Sequence, residues 1–188
     1  MIDTLLKVKP KLDNESILAR LKINKPYAVA TLHRPSNVDS EESANHVIAM
    51  LRTAARHLLV VLPLHQRGRS NLERAGVYGI EGVLVTEPLG YLDFISLVMG
   101  ASAVMTDSGG IQEETTVLGV PCLTLRDTTE RPVTISHGSN RLVNAANFEQ
   151  SLVEALTTKQ QSHLVPELWD GRSGGRIAGV VSDWLARD

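Results

Sequence analysis

Asp107-Ser108-Gly109-Gly110-Ile111-Gln112-Glu113-Glu114 is the stretch whose residue types and spacing best suit chemistry. The apolar run Ala101 to Thr106 precedes it and reads as a buried strand, and a helical pattern continues from it to Leu118. A strand, a Ser-Gly-Gly turn and a helix start make an anion site. The first helical N–H groups lack intrahelical acceptors, and the helix dipole favours negative charge there. Gly109 and Gly110 let the backbone approach a ligand closely. Ser108 has two open readings, a helix cap or a hydroxyl given to phosphate. Glu114 follows six residues after Ser108, between one and two turns into the helix, where a carboxylate can accept from the vicinal diol of a ribose. Phosphate donors beside a diol acceptor point to a nucleotide. The competing reading is that Ser108 only caps the helix and that Glu113 and Glu114 only complement its dipole.

The elements that must position these residues alternate between strand and helix. Met1 to Val8 and Ser16 to Leu21 read as short helices, too short to stand alone. Strands are expected over Tyr27 to Leu32, Leu58 to Leu64, Val83 to Thr86, Ala101 to Thr106, Cys122 to Leu125 and, shortest, Arg141 to Val143. Between them, Asp39 with Glu42 predicts the cap of a helix that carries Val47, Ile48, Leu51 and Ala55 on one stripe. Arg67 to Ala75 reads as a polar helix stopped by Gly76, and Tyr91 to Met99 as an apolar one. His33 to Val38 and Arg126 to Gly138 read as loops. Asn147 with Gln150 predicts the cap of a helix ending near Leu156. Gln160 to Gly175 is expected to be a loop, and Ile177 to Leu185 a terminal amphipathic helix. Such alternation implies a doubly wound α/β fold with a parallel sheet covered on both faces, Rossmann-like, with ligands off the carboxyl ends of the strands. The expected organisation is a helical lead-in over residues 1–25 and a nucleotide-binding domain over 26–188.

That fold would gather the polar residues on one rim. His33-Arg34 follows the first strand, His65 the second, Glu87 the third, Asp107 to Gly110 the fourth, and Arg126 to Arg131 the fifth. Arg34 offers a permanent fork of donors for phosphate. His33 can donate to phosphate or move a proton near neutral pH, or it can simply cap the strand end. His65 reads equally well as structural or functional. Asp107 is expected to orient backbone groups of the turn. Other functions are excluded by what the sequence lacks: no G-x-G-x-x-G after a strand, no G-x-x-x-x-G-K-[ST], no G-x-S-x-G, and no histidine spacing suited to a metal. A net charge of −2 gives no electrostatic basis for nucleic acid or an anionic membrane. No run reaches transmembrane length and no signal-peptide plan opens the chain, while Cys122, the single cysteine, sits in an apolar run; a reducing cytoplasm is the expected compartment.

The runs Thr31 to Asp39, Glu87-Pro88-Leu89-Gly90-Tyr91, Asp107 to Glu114, Gly119-Val120-Pro121-Cys122 and Thr128-Thr129-Glu130-Arg131-Pro132 together resemble the non-hydrolysing UDP-N-acetylglucosamine 2-epimerases. They occur in the family's order and cover nearly the whole chain. Ser36 departs from the pattern, since many members carry glutamate there. The resemblance implies the C-terminal, UDP-binding domain of a GT-B fold, with Met1 to Leu6 similar to the linker entering that domain, so that Met1 is either an internal methionine or an alternative start. It implies inversion at C2 of the sugar by elimination and re-addition of UDP, with no cofactor and no metal. By position, Ser108, Gly109 and Gly110 would hold the diphosphate and Glu114 the ribose. His33 would be the catalytic residue, stabilising departing UDP, with Arg34 beside it. Arg126, Thr129, Glu130 and Arg131 would lie along the nucleotide or sugar, and His65 would mark a regulatory site.

The family's acid-base carboxylates lie in the N-terminal domain, so this chain alone is expected to bind UDP or UDP-GlcNAc but to be inactive, with an N-terminal half in trans or a homo-oligomer as partner. Two other functions remain open from sequence: the donor domain of a GT-B glycosyltransferase and a non-catalytic UDP-sugar binding module.

Overall fold

A computed structural model describes residues 1–157 and 165–186. Among the described residues the sheet has six strands, all parallel: β1 Tyr27–Thr31, β2 Leu59–Pro63, β3 Val83–Thr86, β4 Ala103–Thr106, β5 Cys122–Leu125 and β6 Asn140–Val143. Their order is β3-β2-β1-β4-β5-β6, so the winding reverses between β1 and β4. That is the crevice where doubly wound folds bind ligands. In register, Thr31 pairs with Thr106, Thr106 with Thr124, and Pro63 with Thr86, so these strands end level on one rim.

Side chains alternate across the sheet, as the strand period of two requires. Ala28, Ala30, Leu62 and Met105 face one side, where they meet Val47, Ile48 and Leu51 of α4 (Glu41–Ala55) and Leu152 of α9 (Phe148–Thr157). Tyr27, Val29, Val61 and Val104 face the other, against Ile17 of α2 (Asn14–Leu21) and Leu97 and Val98 of α6 (Tyr91–Met99). A smaller cluster joins Leu5 of α1 (Ile2–Val8) to Ile95 and to Val117 of α7 (Gly109–Leu118). The lead-in helices therefore bury apolar side chains in the same body as the sheet. Asn14 adds polar ties, its amide donating to the Ser96 carbonyl and the Tyr27 hydroxyl.

Several local expectations are corrected. The loop after β1 contains a helical turn, α3 (Pro35–Val38), because proline at the first helical position costs no hydrogen bond. Asp39 still has helical dihedrals at the end of that turn, so Ser40 caps α4 instead, accepting from the Ser43 N–H at 3.0 Å. Asp39 meets the Arg67 guanidinium through two hydrogen bonds. The polar helix α5 is shorter than expected (Arg69–Arg74), and Gly76 follows it in the left-handed region. The loop after β5 contains α8 (Val133–Ser136). At the start of α9 the side-chain oxygen of Asn147 accepts from the Asn144 N–H, and its carbonyl accepts from the Ser151 N–H. The expected loop at 160–175 lies partly outside the described residues, and α10 (Ser173–Leu185) begins within its end.

Candidate functional site

The two loops that flank the reversal between β1 and β4 are tied by one buried carboxylate. Asp107 is fully inaccessible. Its oxygens accept from the His33 N–H at 3.0 Å, the Arg34 N–H at 2.8 Å and the Asn37 side-chain amide at 3.0 Å. His33 Nδ1 lies 3.2 Å from the same carboxylate. Asp107 thus orients backbone groups of the loop after β1 rather than of its own turn. With Nδ1 engaged, Nε2 is the His33 nitrogen left to meet a ligand. The His65 ring lies 5.5 Å from that of His33, so the histidines after β1 and β2 form one patch.

Ser108 occupies the N-cap position of α7, but its side chain makes no capping hydrogen bond, which removes the cap reading of its hydroxyl. Its backbone N–H is instead satisfied by Thr106 Oγ1 at 3.0 Å. At Gly109 a side chain would meet nothing within 4 Å, so the face of the turn is open there, whereas Met1 lies against Gly110. The start of α7 thereby offers backbone donors and a positive dipole end to solvent.

Glu114 sits farther along α7, almost buried, and accepts from the Tyr91 hydroxyl at 2.8 Å. Burial pushes its carboxyl above the usual range, against the partial relief given by the Tyr91 hydrogen bond. Tyr91 was not singled out from sequence; its place at the first turn of α6, after the Gly90 N-cap, brings it across to α7.

The loop after β5 closes the site from the other side. Arg126 grips Glu130 through two hydrogen bonds of 2.8 and 2.7 Å, which hold the Glu130 carboxyl down to about 2. Arg34 reaches within 3.7 Å of Glu130 and donates through Nε to the Asp107 carbonyl at 2.9 Å. Its fork therefore braces the two loops in this structure. Arg131 Nε lies 2.7 Å from Glu113, whose role is an ion pair across to this loop. Thr129 donates to Gln112 at 2.6 Å. Gln112 is a second residue that sequence reasoning passed over, since a glutamine inside an acidic helical run carries no visible signal.

A cavity of about 410 Å³ opens between α4 and the loops after β1, β5 and β6, with Arg34, Asn37, His46, Arg126, Thr128 and Asn144 in its wall. Ser108, Gly109, Gly110 and Glu114 are not part of its wall. Glu87 turns to Arg69, with its closest approach at 2.7 Å. Among the described residues no cluster of three or more His, Cys, Asp or Glu side chains is arranged to hold a metal, and no helix is long and apolar enough to cross a membrane. Cys122 is buried, and burial pushes its thiol up to about 11.

Comparison with known proteins yields a consistent set of relatives. The sequence matches the family profile described as UDP-N-acetylglucosamine 2-epimerase across residues 1–182. It is 33% identical over 190 residues to the UDP-N-acetylglucosamine 2-epimerase of Methanocaldococcus jannaschii, covering 95% of this chain and 51% of that protein. The UDP-2,3-diacetamido-2,3-dideoxy-D-glucuronate 2-epimerase of Pseudomonas aeruginosa is 36% identical over 164 residues, covering 86% and 44%. Among solved structures, the M. jannaschii enzyme in complex with UDP-GlcNAc and UDP superposes with a TM-score of 0.82 at 31% identity, covering 96% of this chain and 52% of that one. A heptosyltransferase of E. coli with ADP, at 20% identity and a TM-score of 0.53 over 76% of this chain and 48% of its own, shares the fold alone. The chain spans about half the length of the curated relatives it matches.

Proposed function

The chain belongs to the UDP-N-acetylglucosamine 2-epimerase family, and on that premise we propose that it is the C-terminal, UDP-binding half of an epimerase that interconverts UDP-GlcNAc and UDP-ManNAc. The observation that carries this reading is the juxtaposition at the β1/β4 reversal: an open helix-entry turn at Ser108 to Gly110 beside a histidine whose Nδ1 faces a buried carboxylate. The turn takes the diphosphate through backbone N–H groups and the Ser108 hydroxyl. Glu114 takes the ribose, with the Tyr91 hydroxyl giving way or sharing the carboxylate. His33 meets the phosphate end through Nε2. There it stabilises the charge that UDP acquires as the C1–O bond breaks and the C2 proton is removed.

UDP then adds back after C2 has been reprotonated on the opposite face. The groups that move the C2 proton lie in the half of the relatives that this chain does not span, so the chain alone binds and is catalytically weak or dead. That other half, supplied in trans or replaced by self-association, is the partner. The patch formed by His33 and His65 borders the regulatory position implied by resemblance. A cytoplasmic location agrees with a sugar-nucleotide ligand and with a single reduced, buried cysteine.

The P. aeruginosa relative's name favours a second substrate within the same reaction class, a UDP-diacetamido-uronate. Epimerase assays on both sugar nucleotides, with the missing half supplied, decide between them. The binding reading is tested by calorimetry with UDP on the parent and on Glu114→Ala. The expected result is binding by the parent and a loss of more than about 1 kcal/mol in the variant, the scale of a hydrogen bond to a charged group. A parent chain that does not bind UDP would refute the proposal.

A further inference from the structure

We propose that Gln112 is a positioning residue that locks the 126–131 loop onto the helix-entry turn, and thereby sets how much affinity the sugar end of a sugar nucleotide adds to that of UDP. The inference rests on the reading above, in which the turn holds the diphosphate and the loop borders the sugar.

Gln112 is fully buried, so it acts through its neighbours rather than on a ligand. Its Nε2 donates to the carbonyl of Ser108 at 3.1 Å, the residue that opens the turn. Its Oε1 accepts from the Thr129 hydroxyl at 2.6 Å and from Asn140 Nδ2 at 3.1 Å, which engages both lone pairs of that oxygen. One planar amide therefore spans the turn, the loop and β6.

The tie closes on itself. The Arg131 N–H donates to Thr129 Oγ1 at 3.0 Å, the Thr134 hydroxyl donates to the Arg131 carbonyl at 2.7 Å, and Asn140 Nδ2 also meets Thr134 Oγ1 at 3.0 Å. Sliding the loop along α7 breaks several members of this ring together, because each residue in it bonds to the next. The distance between turn and loop, and hence the span offered to one ligand, is held at the Gln112 amide.

The test uses the 188-residue chain and calorimetric affinities for UDP and for UDP-N-acetylglucosamine. The proteins are the parent, Gln112→Leu, Thr129→Val and the double variant, each checked by thermal melting. The parent is expected to prefer UDP-N-acetylglucosamine over UDP. Either single variant is expected to cut that preference by about three- to tenfold, the consequence of losing a buried hydrogen bond, while in Gln112→Leu UDP affinity stays within about twofold. The double variant is expected to match the larger single effect, since both changes cut the same tie. If Gln112→Leu fails to fold, Gln112→Met, which keeps the side-chain length without the amide, carries the test. A parallel loss for both ligands tracking the melting temperature, an unchanged preference, additive effects, or a parent that binds UDP without preferring the sugar nucleotide would each overturn the role of Gln112. A parent that binds neither ligand would overturn the UDP-binding reading itself.

Discussion

Asp107 shows what one buried side chain does at this site. Its carboxylate receives three N–H donors from the β1 loop and faces His33 Nδ1, with no access to water. Asparagine would present an amide N–H to groups that are themselves donors. Asp107→Asn is therefore expected to cost about 3 kcal/mol, the range for stranding buried donors of a charged acceptor, read as a lower urea midpoint. A loss under about 1 kcal/mol would mean that these bonds do not hold the loop.

Glu114 yields a pH dependence. Its folded-state pKa is raised above 4.5, chiefly by burial. The folded chain thus binds that proton more tightly than the unfolded one. The corresponding stability is complete below 4.5 and is lost as pH rises through the raised value. In the proposed contact a ribose diol donates to the ionised form, so UDP binding is expected to gain over the same window. The ratio of parent to Glu114→Gln affinities for UDP is expected to rise with pH from 4.5 toward neutrality; a flat ratio would exclude Glu114 from the ribose contact.

At the scale of elements, α7 organises the site because its two ends do different work. Its first turn meets the rim, and its last is stopped by Gly119 with φ 75°, a conformation that L side chains rarely adopt. Gly119→Ala is expected to cost about 1 kcal/mol, visible as a drop of about 2–4 °C in melting temperature for a chain of this size, with UDP affinity unchanged in the folded protein. Between those ends, Glu113 and Gln112 reach the loop after β5, and Glu114 reaches α6. The Arg126–Glu130 pair stiffens that loop above the ordinary carboxylate value of 4.5 and weakens as pH falls toward about 2.

On the scale of the whole molecule, α10 stands apart. Ile177, Val180, Val181 and Trp184 fall at helical spacing and are 48 to 69% exposed, an apolar stripe that the described residues leave uncovered. With that stripe exposed, the chain is expected to self-associate with rising concentration in sedimentation experiments, and Val180→Glu with Trp184→Glu to suppress this. Unchanged sedimentation of the double variant would move the contact elsewhere.

The amino-acid order alone determined the alternation of strands and helices, the parallel sheet and the rim of polar residues. Apolar periodicity and glycine punctuation are local properties, written into neighbouring residues. His33, Arg34, Ser108 to Gly110 and Arg126 to Arg131 were visible for the same reason, since each follows a strand. Tertiary structure alone decided which of these groups touch. Asp107 reaches across 74 positions to His33, Gln112 across 28 to Asn140, and Tyr91 across 23 to Glu114. A buried polar atom takes whatever partner the packed chain brings within about 3 Å, and that partner is set by strand order rather than by sequence separation. The same dependence made Ser40 rather than Asp39 the cap of α4: the turn at Pro35–Val38 had already used the residues before it.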